Sequence, residues 1–158
     1  MNDSDKVRKH IANVLTWHEA HQPFEDVVAD FPEKLRGVRP QGLPHSAWEL
    51  LEHLRIAQWD MLEFSRDAKH VSPEFPAGYW PSTPEPPNAV AWDESVKRFI
   101  ADRDELRTLV LDPARDLTAP IPHGQGQTLL REALLTADHN SQHLGQLIVL
   151  RRLLGAWK

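Results

Sequence analysis

Ser46-Ala47-Trp48-Glu49-Leu50-Leu51-Glu52-His53-Leu54 is the stretch from which the fold can be read. Ser46 and Glu49 match the capping-box spacing, in which a hydroxyl and a carboxylate three residues apart satisfy each other's orphan backbone donors at a helix start. Downstream, Leu50, Leu51, Leu54, Ala57, Met61 and Phe64 fall on one broad apolar stripe. A helix is therefore predicted from this cap to about Arg66, with one face turned to a core. His53 lies inside that stripe, not on the charged face.

The same period recurs on both sides of this helix. Val7, Ile11 and Val14 predict a first helix that begins near Asp3 or Ser4 and cannot pass Pro23, with a short helical piece around residues 24–29. After Pro87-Asn88, the residues Trp92, Val96, Phe99, Leu106 and Val110 predict a third helix that ends before Pro113. Thr128 is a suitable N-cap for a fourth, whose expected face of Leu135, His139, His143, Leu147 and Leu150 leads to Gly155. No run alternates apolar and polar residues for long, so strands are not expected. Four helices of roughly 20 residues, each about 30 Å long, predict an all-α four-helix bundle.

The connection over residues 67–87 contains six of the chain's 13 prolines. Extended Pro-rich chain covers about 3 Å per residue, enough to return from one end of a bundle to the other. The third helix is then expected to run parallel to the second, giving up-down-down-up order with a long Pro-rich crossover. Tyr79 and Trp80 are expected to pack this segment, and long loops of this kind also line active sites.

At 158 residues the chain is expected to form one domain, residues 1–158. Leu147-Ile148-Val149-Leu150 falls far short of the ~18 apolar residues a spanning helix needs, and the polar start Met1-Asn2-Asp3-Ser4-Asp5 shows no leader. No membrane contact and a cytoplasmic location are expected. A formal charge of −5 gives no general attraction for phosphate backbones, so no nucleic-acid partner is expected. Cysteine is absent, which removes disulfides, thiolate catalysis and every Cys-containing metal site. Any metal must be held by imidazole or carboxylate.

Nine histidines supply the candidates. His139 and His143 are four apart in a strongly helical segment, which stacks their rings on one face, close enough to chelate one ion. Taken alone, such a pair fits a hydrogen-bonded core pair as well as a metal site. Neutral imidazoles buried side by side lose solvation and repel if protonated, and a shared divalent ion relieves both costs. His53 on the second helix adds a third inward imidazole, drawn from a facing element as bundle metal sites require. Three neutral ligands leave coordination positions free, which suits reactivity better than a purely structural role.

The stretches Trp48-Glu49-Leu50-Leu51-Glu52-His53-Leu54 and His139-Asn140-Ser141-Gln142-His143-Leu144-Gly145-Gln146-Leu147 resemble the two signatures of the DinB-like (damage-inducible, YfiT-like) superfamily of bacterial four-helix proteins. The resemblance spans about Ser4 to Trp157. It implies an up-down-down-up bundle, frequent homodimers, and one divalent ion, nickel or zinc, held by His53, His139 and His143. Characterised relatives include transferases and isomerases that use a low-molecular-weight thiol. The resemblance carries the site over better than the chemistry.

Other polar residues near these faces offer weaker candidates. Asp60, seven residues after His53 and on its face, is a candidate general acid or base, and Gln146 is a candidate to orient a ligand or touch substrate. Both also read as polar residues at the bundle's edge. His18, four residues after Val14, can approach the interior as a substrate or orienting contact. Glu49 is explained by its cap. His45, His70 and His123 read as loop histidines.

Two functions stay open. One is a metal-dependent enzyme, a thiol transferase or hydrolase that activates a thiol or water against a small-molecule substrate. The other is a non-catalytic, metal-stabilised protein of stress response or sensing.

Overall fold

The computed structural model describes residues 3–16 and 19–157. Among them the helices are α1 (Asp3–Val14), α2 (Phe24–Val28), α3 (Ala47–Arg66), α4 (Ala91–Leu111) and α5 (Leu129–Leu153), with single 3-10 turns at Glu33–Leu35 and Ala77–Tyr79. The long helices α1, α3, α4 and α5 pack together, and no strand is formed among the described residues. Among the described residues no helix is long and apolar enough to cross a membrane.

The helix ends follow from side chains written into the sequence. Ser46 accepts from the Glu49 amide while the Glu49 carboxylate accepts from the Ser46 amide, the reciprocal box expected there. Thr128 accepts from the Arg131 amide at the start of α5. Gly155, at φ 65°, takes the left-handed conformation just past the end of α5, where the Ala156 amide reaches back to the Arg151 carbonyl. Two buried arginines bond carbonyls at helix ends. Arg8 donates to the Val110 carbonyl in the last turn of α4, and Arg151 donates to the Asp26 and Val27 carbonyls of α2.

The apolar interior forms two clusters. One gathers Phe24, Val27, Phe31, Trp48, Leu51, Leu54, Trp92, Phe99, Leu147 and Leu150. The other gathers Ile11, Ala12, Leu15, Leu62, Leu106, Val110, Leu129 and Ala133. Gln58, fully buried in α3, donates to the Phe99 carbonyl at 2.7 Å and accepts from Asn140 of α5 at 2.9 Å. This amide chain joins three helices.

Two expected core positions are corrected. Val7 is 52% exposed, because α1 turns Arg8, Ile11, Ala12 and Leu15 inward instead. Leu135 is 38% exposed, because the buried face of α5 runs through Glu132, Ala133, Thr136, Ala137, Leu144 and Leu147. In both helices a polar side chain, Arg8 or Glu132, holds a buried position that an apolar-only pattern passes over. His139 and His143 consequently lie at the margin of the buried face, partly buried, not at its centre.

Side-chain contacts fix the register of α3 against its neighbours. Ser95 donates to Glu52, Gln58 to Phe99 and Arg66 to Glu105, so the paired numbers on α3 and α4 rise together. Between α3 and α5 they run oppositely: His53 meets His143, Gln58 meets Asn140 and Met61 meets Thr136.

Candidate metal centre

His53 is presented by the middle of α3, and His139 with His143 by successive turns of α5. The three Nε2 atoms converge. His53 Nε2 lies 3.1 Å from His143 Nε2 and 3.0 Å from His139 Nε2, and one nitrogen from each ring lies within 4.8 Å of the others. Two imidazole nitrogens on a tetrahedral zinc ion, each about 2.0–2.1 Å from it, stand roughly 3.3 Å apart. The spacing fits a shared ion.

Two of the three rings have an acceptor behind Nδ1. His53 Nδ1 is 2.8 Å from the Tyr79 carbonyl, which can only accept, so the ring's proton sits on Nδ1. His143 Nδ1 is 2.7 Å from Gln146 Oε1, an oxygen that accepts from Nδ1–H in the same tautomer. Both Nε2 atoms are then unprotonated and aim lone pairs at one another. Those two neutral rings leave the His53–His143 gap unbridged, while His139 can donate from Nε2 to His53 Nε2. A second proton on His53 is opposed by burial, which lowers its pKa even against the Tyr79 carbonyl. Burial, reinforced by His143 and His53, pushes His139 from 6.5 down to about 4. The three rings together form a group that could hold a metal ion.

The third ligand has a different surround. Among the described residues, His139 Nδ1 and Asn140 Oδ1 are both buried without a hydrogen-bond partner. Asn140 is in turn held through Gln58 to α4.

The Pro-rich segment between α3 and α4 closes over one side. Trp80 stacks on His53 with centroids 3.9 Å apart and planes within 2°, and His45 stacks on the same indole at 4.0 Å. Tyr79 places its carbonyl on His53 and its phenol 2.6 Å from Asp60 Oδ2, while His70 Nε2 meets Asp60 Oδ1 at 2.7 Å. The phenol is pushed up to about 12, first by burial and then by the Asp60 carboxylate.

The structure thus brings His53, His139, His143 and Gln146 together. Asp60, considered for acid–base work, has both carboxylate oxygens engaged by Tyr79 and His70. His18 lies outside the described residues. His70, read from sequence as a loop histidine, has a side chain only 7% exposed, because Asp60 and the edge of Trp59 enclose it. His123 is exposed and meets the Phe64 carbonyl. Glu49 is held by its cap and by Arg39, away from His53. Sequence reasoning missed the Tyr79 carbonyl and His45. A backbone acceptor has no residue signature, and His45 reaches the site only through the path of the crossover.

Comparison with known proteins supplies one match. The family model described as DinB superfamily covers residues 16–147, most of the chain and all three histidines. Neither the curated proteins nor the solved structures give a match.

Proposed function

This chain belongs to the DinB superfamily, and on that premise we propose that it is a metal-dependent enzyme of thiol-transferase or hydrolase type. The convergence of three Nε2 atoms carries the proposal, with an oxygen acceptor behind Nδ1 in two of the three rings. His53, His139 and His143 would hold one divalent ion, and nickel and zinc both suit imidazole. Such an ion supplies Lewis acidity, lowering the pKa of a thiol or water it carries and keeping the anion available near neutral pH.

The chain's own side chains do the rest. The Tyr79 carbonyl and the Gln146 amide oxygen accept hydrogen bonds from the Nδ1–H of two ligands, which orients the rings and raises their basicity. Trp80 covers one face of His53 and keeps water from it. The substrates we propose are a small electrophile and, for the transferase reading, a low-molecular-weight thiol. The proposal also takes the helices in up-down-down-up order as a homodimer. Support for the order is the pairing of α3 with α4, whose residue numbers rise together, across a connection rich in proline.

A screen of cellular thiols and water against model electrophiles, run on zinc- or nickel-loaded protein, tests the activity. Turnover that vanishes in the His53→Ala/His139→Ala/His143→Ala variant is expected. Equal background rates in both proteins would overturn catalysis. A second reading, a metal-stabilised sensing or stress protein, draws on the way ligands and their orienting groups tie α3, α5 and the crossover together. It predicts metal binding and a large thermal shift with no turnover.

A further inference from the structure

We infer that Asp60 and His70 are positioning residues for the candidate metal centre, acting on His53 through the two ends of Tyr79. The inference deepens the proposed metal-binding reading and rests on it. Tyr79 closes the single 3-10 turn Ala77–Tyr79 inside the crossover. Its carbonyl meets His53 Nδ1 and its phenol meets Asp60. Both partners stand on α3, seven residues and therefore about 10 Å apart along one rigid helix. A residue held at two points of one helix has its backbone placed relative to that helix, whatever the remainder of the segment does.

Trp80 is held by its stacking between His53 and His45, but the segment before the turn supplies little anchorage. Val71 and Phe75 are each 84% exposed, and residues 74–78 are exposed throughout. The phenol–carboxylate contact is charge-assisted, and bonds of that kind are roughly twice as strong as neutral ones. His70 occupies the second Asp60 oxygen and so fixes the carboxylate's rotation. Removing the phenol would free the Tyr79 carbonyl, and with it the following Trp80, from their places against His53. The ring would lose the acceptor that keeps its proton on Nδ1. Loss of such an orienting partner commonly weakens metal affinity by about 10–100-fold.

The test uses the full chain and two readouts. Zinc affinity is measured by chelator competition, and the His53 tautomer by side-chain nitrogen NMR of metal-free protein. Tyr79→Phe keeps the ring's packing and the backbone carbonyl while deleting the anchor. It is expected to retain the helical circular dichroism of the parent, to bind zinc 10–100-fold more weakly, and to lose the single Nδ1–H signature at His53. His70→Gln, which retains a donor, is expected to fall between, and Val71→Ala to match the parent. Should Tyr79→Phe fail to fold, His70→Gln against Val71→Ala carries the comparison. Parent-like zinc affinity and an unchanged His53 tautomer in Tyr79→Phe would overturn the inference. If the parent binds no more zinc than the triple-alanine variant, the metal reading itself fails, and the His53 tautomer alone then decides whether Asp60 and His70 position the ring.

Discussion

Each candidate ligand sits in a different environment, and the differences set what single substitutions should do. The acceptor behind His143 is the Gln146 amide, one turn along the same helix. Gln146→Leu is expected to weaken zinc binding by about 10-fold or more, with Gln146→Glu restoring most of it because a carboxylate also accepts from Nδ1. Chelator competition reads both. The depressed His pKa values fix a pH dependence as well. The His139 pKa is about 4 in the folded chain against 6.5 for the free side chain, and that of His53 is also lowered. Between those values the unfolded chain binds protons that the folded one refuses, so the stability of metal-free protein is full above about pH 6.5 and declines as pH falls toward 4. Urea midpoints from pH 7.5 to 5 should show this decline, and His139→Leu should flatten it.

At the scale of elements, α3 carries most of the design. It opens on a capping box, contributes to both apolar clusters, and presents Glu52, His53, Gln58 and Asp60 to different neighbours. Gln58→Leu would leave Asn140 without its partner in a dry interior, at a cost of about 1–3 kcal/mol. Chemical denaturation measures it, and a loss below about 0.5 kcal/mol would show that water satisfies the Asn140 amide instead. The start and extent of α3 were legible because its cap and stripe are local. The same holds for the Thr128 cap and for the stop of α4 before Pro113. The inward faces of α1 and α5 were legible only in part. Arg8 and Glu132 occupy buried positions for hydrogen-bonding reasons that hydropathy does not register, and each shifts the true face away from Val7 or Leu135. The three histidines were legible from spacing and from their neighbours. The groups that orient them were not, since the Tyr79 carbonyl depends on how a long connection lies across α3.

Over the whole molecule, the candidate centre links α3 to α5 and, through Tyr79 and Trp80, to the crossover. A ligand that binds only the folded chain stabilises it by about 2.7 kcal/mol at a hundred times its Kd. For a chain of this size that corresponds to a rise of roughly 5–10 °C in Tm. Zinc or nickel should raise the melting temperature of the parent by that amount and leave the triple-alanine variant unmoved, and differential scanning calorimetry distinguishes the two. The most direct measurement is simpler. Elemental analysis of untagged, dialysed protein, alongside the variant lacking all three imidazoles, counts bound divalent ions per chain. The parent is expected to carry close to one nickel or zinc ion and the variant none. Equal metal in the two proteins, or none in the parent after reconstitution, would mean that the convergence of His53, His139 and His143 serves some end other than holding an ion.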